Sequence, residues 1–371
     1  MNYDAESVVE ALRQNGFKVT IGALDYMKKI PEPPDFPVKR IGTYVPYALE
    51  KSPVKKALRM LITETFNPTV LFRILNLLRK EGCDVIILFQ SVQIGFAPYL
   101  ASRILGIPIY IRNDWICPAR SDEAACGFLK RVRECGDCLE VKMGIKLGGF
   151  TKYVVNILSA LYGAVKSWLW RRAAGALPVS QWHSNQFEGY GVPPERWTII
   201  HPDRQIREFP VADKPFTELK DNDSLKVLFV GRLEKDKGVD LLLGGFEKAI
   251  GEHPDLQLLV AGEGTLRPLV EEYVSKHDQI TYLGWLDEAG LSQAYQVSDV
   301  VVIPTFVLEG YGLVASEAAS FDKVIVWSDS GGMKEVLDTY EKGVRLHEVS
   351  VDSLCEAISN IAIERDRGGH A

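Results

Sequence analysis

The chain has 371 residues, enough for two domains of ordinary size, and its 46% hydrophobic and 25% charged residues describe a globular protein rather than a disordered one. A net charge of −6 argues against nucleic acid as a partner, and no uncharged run of about 18 apolar residues marks a bilayer-spanning helix. No secretory signal is recognisable, so cytoplasmic residence is the expectation, with the six cysteines as thiols or metal ligands rather than disulfides.

In chain order, an amphipathic helix is expected over 5–15 and is closed by Gly16. Strand-like apolar runs follow at 17–24, 85–89, 107–111, 175–179 and 197–201, with helical patterns between them. The stretch 202–224 is polar, contains proline and carries the acidic run Asp221-Asn222-Asp223, which places a hinge there. The expected domains are therefore 1–205 and 206–371. Further strands are expected at 226–230, 256–261, 280–282, 299–303 and 323–326, then a last helix over 354–363 and a polar tail. Strands alternating with helices from end to end imply parallel sheets in an α/β architecture.

The ends of the later strands carry the chemistry. Strand 226–230 runs into Gly231-Arg232-Leu233 and then Lys237-Gly238, offering a guanidinium fork and a point charge to an anionic ligand. The alternative is a surface pair bonded to Glu234 and Asp236. Strand 256–261 ends at Gly262-Glu263-Gly264, where a nucleotide could pass close to backbone. Gly284-Trp285-Leu286 ends the next strand, with Trp285 either walling a base pocket or packing. Strand 299–303 stops at Pro304 and leads through Glu309-Gly310-Tyr311-Gly312-Leu313 into a small-residue helix containing Glu317. Glu309 stands at the helix mouth, and Glu317, about two turns on, suits a ribose diol. Read alone, the pair could equally be an N-cap and a solvated helix acid. Ligands of open α/β sheets bind at carboxyl ends of strands, so four such ends together point to one nucleotide site.

These motifs, in this order and spacing, resemble the retaining GT-B glycosyltransferases of family 4, and the resemblance covers nearly the whole chain. It implies two Rossmann-like doubly wound domains facing a cleft. It further implies a nucleotide-diphosphate sugar as donor, a glycan or lipid-linked glycan as acceptor, retention of configuration, and no required metal. By the resemblance Arg232 and Lys237 bind the donor diphosphate and stabilise the leaving nucleotide, Glu309 contacts sugar hydroxyls and Glu317 holds the ribose. Gly231, Gly262, Glu263, Gly264, Trp285 and Leu286 belong to the donor side, and backbone around Tyr311, Gly312 and Leu313 touches phosphate. Gly331-Gly332 with Glu335-Val336 resembles the family's closing segment.

On the acceptor side, Asn113-Asp114 occupies the place of the family's His-Asp. Asparagine hydrogen-bonds a hydroxyl but does not titrate near neutral pH. Met1 to Val9 aligns only with the helix that follows the family's first strand and glycine-rich loop, so the expectation is that the start is truncated or that this protein lacks those contacts. Two rival functions remain open: a GT-B nucleotide-sugar epimerase or hydrolase, and a nucleotide-sugar-binding partner subunit without activity of its own. The family's common setting is cell-surface polysaccharide or glycolipid synthesis.

Two further features stand outside the donor site. Cys117, Cys126, Cys135 and Cys138 form C-x8-C-x8-C-x2-C in one loop, a candidate structural zinc site or a set of thiols, whereas Cys83 and Cys355 read as packing residues. From Val141 to Phe187 there is no Asp or Glu, and lysines and arginines are interleaved with Tyr153, Tyr162, Trp168 and Trp170. A helix over 151–172 is expected, with an apolar face of Val154, Ile157, Leu161, Val165 and Leu169 and a polar strip of Lys152, Asn156, Ser159 and Lys166. Such a helix suits an anionic membrane surface on the inner face, through 141–172; the alternative is a core helix with a cationic rim.

Overall fold

The computed structural model describes residues 3–26, 38–44, 68–89, 96–112, 133, 137, 146–202 and 224–368. The chain divides into two compact units, Met1–Pro202 and Asp203–Ala371. The expected boundary at 205/206 falls within 203–223, outside the described residues.

In the first unit the strands are β1 (Ile21–Tyr26), β2 (Val38–Tyr44), β3 (Ile86–Phe89), β4 (Ile109–Arg112) and β5 (Gly175–Ala176). All pair in parallel, among the described residues as β1-β2 and as β3-β4-β5. The described residues open with the helix Tyr3–Gln14 and reach their first strand at Ile21. Strand β2 was not anticipated, because its Lys39, Arg40 and Gly42 dilute the apolar pattern. The strand expected at 197–201 is instead a single bridge, Trp197 to Ala176, continued by N–H donation from Thr198 to Ala176 O and from Ile200 to Pro178 O. Pro178 has no N–H to return, which also ends β5 three residues earlier than the apolar run suggested.

The core of this sheet is Leu88, Ile109, Ile111 and Ala176 against Trp170 and Phe187, whose rings stack at 4.6 Å. A second cluster joins the helices Pro68–Glu81 and Ala97–Leu105 through Val70, Ile74, Leu78, Ala97 and Ala101, spaced at single helical turns. The long helix spans Gly149–Trp170, and its faces correct the sequence reading. Asn156, assigned to the outer polar strip, is buried and donates from Nδ2 to the Arg133 carbonyl at 3.0 Å. On the expected apolar face Leu161 is exposed and Leu169 is buried. Apolar residues surround this helix on most sides, so periodicity alone did not identify which side packs.

The second unit contains β6 (Lys226–Val230), β7 (Gln257–Ala261), β8 (Ile280–Gly284), β9 (Val300–Ile303), β10 (Val324–Ser328) and β11 (Gly343–Leu346). They form one parallel sheet in the order β11-β10-β9-β6-β7-β8. This is the doubly wound order, and chain direction across the sheet reverses between β6 and β9. Strands such as Val300-Val301-Val302-Ile303 are apolar throughout because both faces are covered. Val227, Phe229, Val300 and Val302 pack with the helices Val239–Glu252 and Val351–Asp366. Leu228, Val301, Ile303 and Trp327 pack on the other face with Glu288–Val297 and Leu313–Ser320. The edge strand β11 was missed because it is short and interrupted by Arg345.

Candidate active site

The site stands where the winding reverses. β6 and β9 are neighbours through Val227–Val300 and Leu228–Val301. Beyond those pairs β6 runs into the loop 231–238 and β9 into the loop 304–312, and a crevice at such a switch point is where doubly wound sheets bind ligands. Lys237 closes the short turn Lys235–Lys237, and its Nζ forms an ion pair with Glu309 Oε1, both side chains being partly buried. The two loops touch beneath this pair: Gly238 has φ +70, and a Cβ there would collide with the Pro304 carbonyl. Thr305 Oγ1 donates to the Asp236 carbonyl at 3.1 Å, and the Phe306 N–H donates to the same oxygen at 3.3 Å.

Arg232, its side chain 60% exposed, reaches Asp236 Oδ2 at 3.2 Å, whereas the Asp236 side chain is only 7% exposed. The alternative of a surface pair bonded to Glu234 and Asp236 therefore holds only for Arg232 with Asp236. Glu234 instead accepts from Thr265 N–H at 3.1 Å and Oγ1 at 2.6 Å, and Lys237 is turned to Glu309.

Glu309 is held from behind by the segment after β10. Its N–H donates to Ser330 Oγ at 3.2 Å, its carbonyl accepts from Gly332 N–H at 2.8 Å, and Ser330 Oγ donates to Val307 O at 2.5 Å. Gly331 has φ +55 and no room for a Cβ against the Glu309 carbonyl, which explains the glycine at 331 physically. The N-cap of the helix Leu313–Ser320 is Gly312, not Glu309, so the capping alternative for Glu309 falls away. Glu317 on that helix is buried, and its Oε2 accepts from the Tyr295 hydroxyl at 2.8 Å, while the Tyr295 ring stacks on Phe321 at 5.3 Å. Burial excludes the solvated-acid reading of Glu317.

Gly231, Gly262 and Gly264 have a visible structural task. A Cβ at Gly262 would collide with the Gly231 carbonyl and one at Gly264 with that of Leu233. The loops after β6 and β7 thereby exchange Gly231 N–H to Ala261 O at 3.0 Å and Leu233 N–H to Glu263 O at 2.9 Å. The exposed Glu263 side chain pairs with Arg267 at 3.1 Å. Trp285 is 66% exposed, so it does not serve as packing, whereas Leu286 packs partly against the Tyr295 layer. Tyr311 and Leu313 are partly buried beside Gly312. Asn113, Asp114, Cys117, Cys126, Cys135 and Cys138 lie outside the described residues. Cys83 and Cys355 are partly buried thiols packed against hydrophobic clusters, and burial pushes the Cys83 thiol up.

Sequence reasoning missed Tyr295, Asp236 as an anchor, Ser330, and Asp329 beside it, since each acquires its role only through a partner distant in sequence. Burial alone would raise the Asp329 carboxyl, but hydrogen bonds from Lys334 and Arg345 outweigh it and hold the group below the usual aspartate range. A carboxyl lowered on folding contributes stability above its unfolded pKa and loses it as pH falls through the folded one. Asp329→Asn is therefore expected to destabilise the protein by about 1–2 kcal/mol at neutral pH. The difference from wild type should vanish in acid below the aspartate range, as urea unfolding across pH would show.

Residues 5–202 match the family model described as Glycosyltransferase Family 4, and residues 211–367 match Glycosyl transferases group 1. The chain belongs to glycosyltransferase family 4. Among curated relatives of this family 4 chain, glycogen synthase of Mycobacterium tuberculosis is 29% identical over 58% of the chain and 51% of its own length. Phosphatidyl-myo-inositol mannosyltransferase of Mycolicibacterium smegmatis is 28% identical over 40% of the chain and 39% of its own length. An uncharacterised glycosyltransferase of Methanocaldococcus jannaschii is 30% identical over 38% of the chain and 36% of its own length. The chain thus spans about half or less of the length of these relatives. Sucrose-phosphate synthase from Thermosynechococcus elongatus superposes with a TM-score of 0.68 at 18% identity, covering 96% of this chain and 82% of that one. Anabaena HepE in complex with UDP and glucose gives 0.64 at 14% identity, covering 99% and 88%. The family 4 chain therefore has the two-domain, Rossmann-like GT-B fold.

Proposed function

We propose that this protein transfers a sugar from a nucleotide-diphosphate sugar to a glycan or lipid-linked glycan acceptor, with retention of configuration. The observation that carries the reading is the set of charges at the switch point: Lys237 paired with Glu309 across β6 and β9, with Arg232 on the same loop as Lys237. Two cations meet the donor diphosphate and disperse the charge that builds on the leaving nucleotide. Glu309, fixed through its backbone by Ser330 and Gly332, receives sugar hydroxyls once the diphosphate has taken its place on Lys237. Glu317, oriented by the Tyr295 hydroxyl, holds the ribose. The bond from the anomeric carbon to phosphate breaks and the bond to the acceptor oxygen forms on the same face. The acceptor proton passes to a phosphate oxygen of the departing nucleotide. Arg232 and Lys237 supply the positive charge, so the reading assigns no step to a metal. We assign Asn113 and Asp114 to the acceptor by their place in the sequence.

The test is a thermal-shift screen of UDP-, GDP- and ADP-sugars, followed by transfer of label from the selected donor. UDP and glucose are named with HepE, so uridine donors come first. A ligand bound only by the folded state raises apparent stability, so one base should stand out, and the product should keep the donor's anomeric configuration. Absence of any shift would overturn the reading. Free sugar or an epimer formed without acceptor would replace it with a hydrolase or epimerase. Transfer that needs a second protein would replace it with a non-catalytic partner role.

A further inference from the structure

The helix Gly149–Trp170 buries Val155, Ala160, Leu169 and Trp170 and carries a second apolar stripe on its outward side. Phe150, Tyr153, Ile157, Leu161, Ala164 and Trp168 fall within about 80° of arc at 100° per residue and form a stripe about 27 Å long. Phe150 is 81% exposed, Tyr153 59% and Trp168 50%, while Leu161 and Ala164 are also exposed. The polar Asn156 and the Lys152–Asp137 ion pair lie instead toward the packed side. An ordinary surface helix is polar on its outer side, whereas this one is apolar there as well as toward the core. The stripe does not stop at the helix end. The Trp168 ring meets Phe96 edge-on at 6.4 Å, and Phe96 begins the helix Ala97–Leu105, whose Leu100 and Ile104 are exposed at successive turns. A continuous apolar band of this length on a folded unit marks a contact surface.

Charge selects the occupant. Neither 96–112 nor 146–187 contains an Asp or Glu. Lys146, Arg103, Arg171 and Arg172 are exposed around the band, and the Arg172 guanidinium lies 4.0 Å from the Trp168 ring centre, shielding its stem on the aromatic face. A protein partner, including a second copy, must supply its own acids to such a rim, and this band has none to offer back. Among the described residues no helix is long and apolar enough to cross a membrane, so the helix would lie in the plane of an interface. We infer that the band formed by Gly149–Trp170 and Ala97–Leu105 docks on an anionic phospholipid surface, its aromatic residues inserted and its arginines and Lys146 at the headgroups. This does not depend on the transfer reaction.

The test is co-sedimentation of the full chain with vesicles of phosphatidylcholine, with and without phosphatidylglycerol. Wild type should pellet with the anionic vesicles, more weakly as salt is raised. The double variant Phe150→Ser, Leu161→Ser removes two exposed side chains, so circular dichroism should be unchanged, while vesicle partitioning should fall about tenfold or more. An independent reading is tryptophan fluorescence: a blue shift with vesicles in wild type should be lost in Trp168→Phe. No pelleting of wild type, or equal pelleting of the double variant, would overturn the inference. A dimer in lipid-free solution that the double variant disperses would overturn it in favour of a contact between copies.

Discussion

Lys237→Ala is expected to lower sugar transfer by about 100- to 1,000-fold while leaving the unfolding midpoint close to wild type. In the proposed reaction the rate effect comes from removing a point charge next to the leaving diphosphate. The small stability effect follows from the partner, because Glu309 is partly exposed and an ion pair of that kind contributes about 0–1 kcal/mol. Arg232→Ala should slow transfer comparably but cost stability as well. It strips the buried Asp236 of its only side-chain hydrogen bond among the described residues, at about 1–3 kcal/mol. Combining Arg232→Ala with Asp236→Asn should restore much of that stability and none of the transfer. Single-turnover rates alongside denaturant unfolding separate the two effects, and wild-type turnover in both alanine variants would sink the assignment.

Glu309→Gln should move binding and transfer in opposite directions. Without ligand the Glu309 carboxylate occupies Lys237 Nζ, so an incoming diphosphate has to displace it. The amide keeps the shape and removes the competitor, so a nucleoside diphosphate lacking its sugar should bind roughly fivefold more tightly, about 1 kcal/mol. Transfer should nevertheless fall by about 100-fold, since the group that aligns the sugar hydroxyls has lost its charge. Calorimetric titration with the nucleoside diphosphate and a steady-state assay check the two halves. Weaker nucleotide binding in the variant would show that Glu309 does not compete for Lys237.

The second unit was legible because its strands are apolar from end to end. Lys226–Val230 was anticipated to the residue, and only the short edge strand Gly343–Leu346 was missed. The first unit was harder. Pro178 cut short a strand that composition favoured, and Gly149–Trp170 is apolar on so many sides that Asn156 was expected in its polar strip although it is buried. At the site the chemical types were readable one by one, since Arg232, Lys237, Glu309 and Glu317 each follow a strand. Their couplings were not. Lys237 and Glu309 are 72 positions apart, and nothing near Tyr295 announces the carboxylate 22 positions on. Local pattern reports what a residue can do, whereas a partner set by sheet order must be seen in three dimensions.

The seam between β6 and β9 joins the two halves of the second unit's sheet, yet its ladder consists of Val227–Val300 and Leu228–Val301, against the run from Lys226–Gln257 to Val230–Ala261 on the other side of β6. Above the short seam the halves are fastened by Thr305 to Asp236, Gly238 on Pro304, and Lys237 to Glu309. A diphosphate bound as proposed would replace the last of these fasteners and bridge both halves. Ligand occupancy and mechanical cohesion of the sheet would then be linked, and hydrogen exchange at Val227, Leu228, Val300 and Val301 should slow on both sides when nucleotide binds.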